Sequence, residues 1–381
     1  MRIGVIGYGS RINMIVELLV ELDPTVQLAA ITDIEPSKIK KFLSDRKIDA
    51  EHTAFYMDAD QMLGNERLDG VLIGTRCSLH TRMAKKVFKH NLPLFLEKPV
   101  ATSLDDLMDL RQSGMSSTSE VVVSFPLRNT PLLQLVKEIV DSGKLGTIEH
   151  VQAVNNVSGG VYYHNWYRDE GETGGLFLQK ATHDFDYINY LLGSSPVSIC
   201  AMKSKQIFKG NKPAGLNCKD CDEFHSCPES PYVLTHFHSE KVTGEMCSFA
   251  TDTGNEDSGS ALLMYPSGMH VVYSQNFYSK KTAEKRGARL IGYKGTLEFD
   301  WATNEVQVNM HTAPRVESYK VDSGDETHGG GDRVLAYNFL HVMQGKEKSG
   351  TPLEAGLQSA LICLKAIQSA NTGTFQEITW H

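Results

Sequence analysis

Lys98 and His183 stand where a proton-transfer group would be useful. Lys98 follows a short apolar run in Leu94-Phe95-Leu96-Glu97-Lys98-Pro99, and His183 lies in a stretch from Thr173 to Leu192 that predicts a helix stopped by Gly193. An imidazole titrates near neutral pH, so it can take a proton from a hydroxyl and give it back. At about 100° per residue the helix puts Phe177, Leu178, Ala181, Phe185, Ile188 and Leu192 on one face, with Gln179, Lys180, His183, Asp186 and Tyr187 on the other. The polar stripe lacks the Glu-Lys pairing of an ordinary wet surface, and an aromatic, glycine-rich loop, Gly159 to Gly175, leads into it.

Such groups need elements to position them, and the first 33 residues show one kind. The apolar run Ile3-Gly4-Val5-Ile6 enters Gly7-Tyr8-Gly9-Ser10-Arg11-Ile12, and a second run, Val26 to Ile31, is followed by Asp33. That is the start of a nucleotide-binding βαβ unit. Gly7 permits the tight turn, and Gly9 lets backbone approach a pyrophosphate at the N-terminus of the next helix. Asp33 is spaced to accept from a ribose 2′-hydroxyl and to repel a 2′-phosphate, which favours NAD over NADP. Ile12 holds the position usually given to a third glycine, so the helix is expected to sit slightly further out.

Up to about Val123 short apolar strands alternate with amphipathic helices, the pattern of a parallel sheet covered on both faces. Strands are predicted at Arg2 to Ile6, Val26 to Thr32, Ala54 to Tyr56, Gly70 to Gly74, Leu94 to Leu96 and Val121 to Val123. Pro36 and Ser103 suit helix starts. The expected class is α/β: an N-terminal Rossmann doubly wound parallel sheet over 1–124, then an α+β domain with a large, mostly antiparallel sheet over 125–381. In that second part a helix from Thr130 to Ser142 precedes a strand from Thr147 to Val154, and Gly244 to Val321 reads as an antiparallel meander. Helices from Asp332 to Met343 and Leu353 to Ala370 are expected to close the chain against that sheet.

The Glu97-Lys98-Pro99 tripeptide, the Thr75-Arg76-Cys77-Ser78-Leu79-His80 segment, the Leu145-Gly146 turn, Gly174-Gly175 with His183, and the tail from His328 together resemble the Gfo/Idh/MocA family of oxidoreductases. Ligands bind beyond the carboxyl ends of parallel strands, so Thr75, His80, Glu97 and Lys98 should gather by the nicotinamide, completing a cofactor set with Gly7, Gly9, Ser10, Arg11, Ile12, Asp33 and Arg76. The resemblance implies that Lys98 orients substrate hydroxyls and shares in proton transfer, that His183 is the acid/base, and that members pair as homodimers or homotetramers. The family's usual Asp is here Gln179, beside Lys180. A Gln cannot accept a proton as a carboxylate does, so Asp184 or Asp186 is a candidate substitute, and Gln179 and Lys180 are assigned to substrate with Tyr163, Trp166 and Arg168 of the aromatic loop.

The expected activity is NAD-dependent hydride transfer from a secondary hydroxyl of a sugar, sugar derivative or cyclitol. The alternatives are a glycoside hydrolase that oxidises the ring transiently, which the Gln179 departure motivates, and a noncatalytic NAD-binding regulator. A net charge of -8 over 381 residues argues against nucleic acid and anionic membrane as partners. No signal-like start or long apolar run is present, so the chain reads as cytoplasmic. Seven cysteines, an odd number, argue against a disulfide framework. Cys218, Cys221 and Cys227 with His225 form a CxxC-based cluster whose spacing permits a closed structural zinc site.

Overall fold

The computed structural model describes residues 1–46, 52–322, 324 and 327–380. In chain order the N-terminal elements are β1 Arg2–Ile6, α1 Ser10–Leu22, β2 Gln27–Thr32, α2 Pro36–Asp45, β3 Ala54–Tyr56, α3 Ala59–Asn65, β4 Gly70–Ile73, α4 His80–Phe88, β5 Leu94–Leu96, α5 Leu104–Met115 and β6 Val121–Val123. There follow α6 Pro131–Asp141, β7 Ile148–Asn156, α7 Glu170–Thr173, α8 Leu176–Leu192, β8 Ser198–Ser204, α9 Pro231–His238, β9 Ser258–Met264, β10 His270–Asn276, β11 Lys285–Gly292, β12 Gly295–Asp300, β13 Glu305–Met310 and β14 Val316–Lys320. The tail contributes α10 Gly331–Met343, α11 Leu353–Thr372 and β15 Gln376–Glu377. Two compact units result: Met1–Pro131 with Ser323–Leu361, and Leu132–Asp322 with Ile362–His381.

In the first unit six parallel strands stand in the order β3-β2-β1-β4-β5-β6, which puts the topological switch between β1 and β4. Both glycine-rich turns meet there. Gly7 adopts φ +80 and a Cβ on it would lie 2.7 Å from the backbone of Thr75, so no side chain fits. Ile12 is fully buried, and its bulk takes the room that Gly74, at the end of β4, leaves by lacking a Cβ. The first turn of α5 is capped by Ser103, whose Oγ accepts from the Asp106 amide at 3.1 Å.

The tail helix α10 differs from the sequence expectation. Leu335, Ala336, Phe339 and Leu340 join the apolar cluster of Ile3, Val5, Ile12 and Phe95, so α10 belongs to the parallel-sheet unit and not to the antiparallel one. Its apolar stripe gave no indication of which sheet it would cover. The Phe95 and Phe339 rings meet edge to face with centroids 5.7 Å apart.

The second unit holds a nine-stranded sheet in the order β14-β13-β12-β11-β7-β10-β9-β8-β15. The expected meander is interrupted: β7 inserts between β10 and β11, parallel to β10 and antiparallel to β11. Strand β10 alternates, with Val271, Tyr273 and Gln275 buried. Helix α8 lies on that buried face, with Phe185 5.0 Å from Tyr273 and Tyr187 5.9 Å from Phe299 between ring centroids. It begins at Leu176 and not at Thr173, because Gly174 at φ 72 and Gly175 at φ 89 break the chain between α7 and α8. Gly193, at φ 60, ends it.

Candidate active site

The N-terminal turn offers backbone groups to a cofactor first. Gly9 forms the N-cap of α1 with no side chain capping the helix, so the leading amides of α1 face outward as anion donors. Gly9 and Ser10 are exposed, as a cradle for phosphate requires. Asp33 follows β2 and accepts from the Tyr8 amide through Oδ2 and from the Glu35 amide through Oδ1, both at 2.9 Å. These bonds orient the carboxylate and leave further lone pairs for ribose hydroxyls. Glycine turn, open helix terminus and oriented acid together fit a dinucleotide.

Arg11 does not turn toward such a cradle. Its Nε donates to Glu97 at 3.0 Å, and its Nη2 donates to Ser124 at 2.9 Å and Asp332 at 2.6 Å. Against burial, the hydrogen bonds from His328 and Arg11 hold Asp332 well below the usual carboxylate range. Arg11 and Glu97 therefore brace the phosphate loop, the end of β5 and the start of α10 against one another. His80 is also inward: it is 1% exposed, with Nδ1 2.7 Å from the Pro99 carbonyl and Nε2 3.2 Å from that of Thr75. Burial lowers the pKa of this imidazole, against the opposing pull of the Pro99 carbonyl and of Glu97. His80 thus fixes the strand-end turns carrying Thr75 and Lys98, while Lys98 is half-buried and Arg76 is exposed. The Lys98-Pro99 peptide is cis.

In the second unit α8 is buried on nearly every side, where amphipathicity predicted one open face. Gln179, Thr182, His183, Asp184 and Asp186 are all buried; Lys180, one helical turn before His183, remains partly accessible. Its ammonium lies over the Tyr162 ring, 5.2 Å from the centroid. Burial and the Arg286 charge bring Lys180 down to about 7, against the opposing pull of Asp184 and Glu284. Lys180 can thus exchange a proton near neutral pH, which an ordinary lysine cannot.

Asp184 does not replace the missing family carboxylate. It is fully buried and accepts from Asn155 Nδ2 at 2.6 Å, from the Tyr273 hydroxyl at 2.8 Å, and from Arg286 Nε at 3.0 Å and Nη2 at 2.7 Å. Four donors occupy its oxygens and fix it as the counter-ion of Arg286. Asp186 is 2% exposed.

The aromatic loop is sorted by burial as well. Tyr163 is fully buried against Phe208 and Phe277, and its hydroxyl donates to the Glu256 carbonyl at 2.6 Å. Arg168 is 3% exposed and donates to Asp252 and Thr253, each at 2.6 Å. Both therefore build the domain and present no surface to a substrate. Trp166, stacked on Tyr167 with centroids 4.0 Å apart, keeps part of its area open. Tyr162, Arg286 and Glu284 were missed in the sequence: Arg286 and Glu284 lie more than a hundred residues beyond Lys180, and the β7–β11 pairing brings that stretch in.

None of the seven cysteines is in a disulfide, and no group of three or more His, Cys, Asp or Glu among the described residues stands in metal-holding geometry. No described helix is long and apolar enough to cross a membrane.

Comparison with known proteins agrees with this arrangement. The oxidoreductase family described as having an NAD-binding Rossmann fold matches residues 1–125, and the GFO/IDH/MocA C-terminal domain matches residues 133–298. The chain belongs to the Gfo/Idh/MocA family and is an oxidoreductase with an NAD-binding Rossmann domain. YteT of Bacillus subtilis, an oxidoreductase by name, is 24% identical over 86% of each chain. The myo-inositol 2-dehydrogenase of Thermotoga maritima is 25% identical over 53% of this chain and 58% of its own. Among solved structures, a levoglucosan dehydrogenase in complex with NADH and levoglucosan aligns with a TM-score of 0.78 at 15% identity, covering 99% of both chains, which is a likeness of fold.

Proposed function

We propose that the protein oxidises a secondary hydroxyl of a sugar, sugar derivative or cyclitol with NAD, using α8 as the source of its acid/base groups. The observation that carries this reading is the place of Lys180, one turn before His183 on a buried helix with its ammonium over the Tyr162 ring, where burial lowers its pKa. Two proton-transfer groups on one helical face compensate for the carboxylate lost at Gln179. The names of the inositol and levoglucosan dehydrogenases support the substrate class.

Bound NAD supplies the hydride acceptor. In the forward direction His183 accepts the hydroxyl proton and Lys180, in its neutral form, takes it on toward solvent. Gln179 and Trp166 contribute to substrate binding, and Lys98 is the proposed partner that orients the reacting oxygen. Gly7, Gly9 and Ser10 hold phosphate through backbone, and Asp33 selects NAD. A homodimer or homotetramer is part of the same reading, supported by the exposed Leu262, Met264 and Val272 on the sheet of the second unit.

The test is a panel of sugars, inositols and glycosides offered to purified protein with NAD, following reduced cofactor and product together. One NADH per oxidised polyol supports the proposal. Aglycone release without net NADH would instead establish the transient-oxidation route, and a flat response across the panel, with NAD binding intact, would overturn both.

A further inference from the structure

We propose that Cys218, Cys221, Cys227 and Cys247 form a four-thiolate zinc site that braces the aromatic loop ahead of α8. The fourth member comes from 20 residues beyond Cys227, and the chain path brings it in. An antiparallel bridge pairs Asn217 with Met246, with the Cys218 amide donating to the Glu245 carbonyl at 2.6 Å and the Cys247 amide to that of Leu216 at 2.8 Å. Cys218 and Cys247 each lie one residue beyond the bridged pair, on the same face of it, and share one buried cluster.

The other two thiols lie within electrostatic reach of Cys218. Cys218 and Cys221 sit on one tight turn, the Cys221 amide donating to the Cys218 carbonyl at 3.1 Å, and the Cys227 amide closes the next turn on Glu223 at 2.8 Å. These bonds fix the backbone at Cys218, Cys221 and Cys227. The donor set is that of a closed tetrahedral zinc site, with CxxC as half of it. His225, the imidazole the sequence offered, is exposed and packs edge-on to Tyr232 at 4.5 Å instead. Zn²⁺ with four thiolates carries a net charge of about -2, and the cations of Arg168 and Lys212 stand within electrostatic reach of the thiols.

The region has reason to need a staple. Between β8 and β9 the chain runs from Ser204 to Ser258 with one two-turn helix, α9, and little regular structure. The Cys247 segment is in turn stitched to the aromatic loop: the Met246 amide donates to the His164 carbonyl at 3.0 Å, and His164 Nδ1 lies 2.7 Å from the Met246 carbonyl. Gly244 packs so closely on His164 that no Cβ fits. Tyr162, two residues before His164, is the ring under Lys180. The ion would act structurally, and no catalytic step passes through it.

The test uses full-length protein purified without chelator. Elemental analysis is expected to find about one zinc per chain, retained in His225→Ala and lost in Cys247→Ser. Should Cys247→Ser fail to fold, alkylation mapping of the wild-type chain decides: the four thiols should be shielded, and become labelled together when a strong chelator removes the metal. Zinc far below one per chain, labelling unchanged by chelator, a Cys218–Cys247 disulfide in freshly purified protein, or zinc kept by Cys247→Ser overturns the proposal.

Discussion

Asp184 grips Arg286 through two hydrogen bonds, 3.0 Å to Nε and 2.7 Å to Nη2, and so fixes a cation within electrostatic reach of Lys180. A lysine held near 7 is charged below that pH and neutral above it. As a proton acceptor it works only when neutral, so kcat/KM for alcohol oxidation is expected to rise through a limb near 7. Glu284 opposes the shift, so Glu284→Gln should move that limb to lower pH, by about half a unit. Lys180→Met should remove it and slow oxidation about 10²- to 10⁴-fold. A pH-rate profile unmoved by Glu284→Gln would show that the limb belongs to another group.

The same desolvation has a thermodynamic sign. The unfolded chain carries Lys180 with an ordinary lysine pKa, so between about 7 and that value it binds more protons than the folded chain. Stability from this group therefore rises with pH across the window, and the full penalty is present below about 7. Lys180→Met removes the penalty. Its Tm is expected to exceed that of the parent by about 2–4 °C for each kcal/mol relieved at pH 6.5, with the gain shrinking toward pH 10. Thermal scans at both ends of the range check this, and a variant less stable at pH 6.5 would refute the assignment of strain to Lys180.

Breaking the Asp184 network is expected to damage stability before chemistry. Asp184→Asn keeps the shape but leaves Arg286 without its counter-ion in a buried setting, which costs about 3–5 kcal/mol. Denaturant titration should show that loss in the second unit, while NAD affinity, proposed to rest on the first unit's glycine turn and Asp33, stays within about twofold. Tyr273→Phe, which removes one donor of four, should cost about 1–2 kcal/mol. A loss from Asp184→Asn no larger than that from Tyr273→Phe would mean that the Arg286 charge is satisfied elsewhere.

What the sequence disclosed followed the range of its signals. The parallel sheet was legible because Gly7, Gly9 and Asp33 lie close together in the chain, and each βα step marks itself with an apolar run and a cap such as Ser103. Contacts between distant segments were not legible. Cys247 gave no sign of its relation to Cys218, and nothing near Arg286 in the chain marks its pairing with Asp184. Tyr163 and Arg168 were over-read as ligand groups, since an aromatic loop packs on its own domain by the same apolar surface that would hold a sugar ring. Helix α10 was misplaced for a related reason: an amphipathic stripe records that a helix is covered, but not by what.

Ile12 and Gly74 offer a test of how the phosphate loop tolerates its missing third glycine. The Ile12 side chain fills the space beside Gly74, so Gly74→Ala drives a methyl into Ile12 Cγ1 at the root of the cofactor turn. Overpacking of this kind costs about 1–3 kcal/mol, and here the strain falls on α1, whose N-terminus is the proposed phosphate donor. NAD affinity and Tm are both expected to drop in Gly74→Ala. Trimming the other side, in the double variant Ile12→Ala with Gly74→Ala, removes the Cγ1 that the methyl meets and should recover much of the NAD affinity, whereas Ile12→Ala alone should cost about 2–5 kcal/mol of stability. If the double variant binds NAD no better than Gly74→Ala, the two positions are not exchanging volume, and the room for Ile12 comes from a displacement of α1 instead.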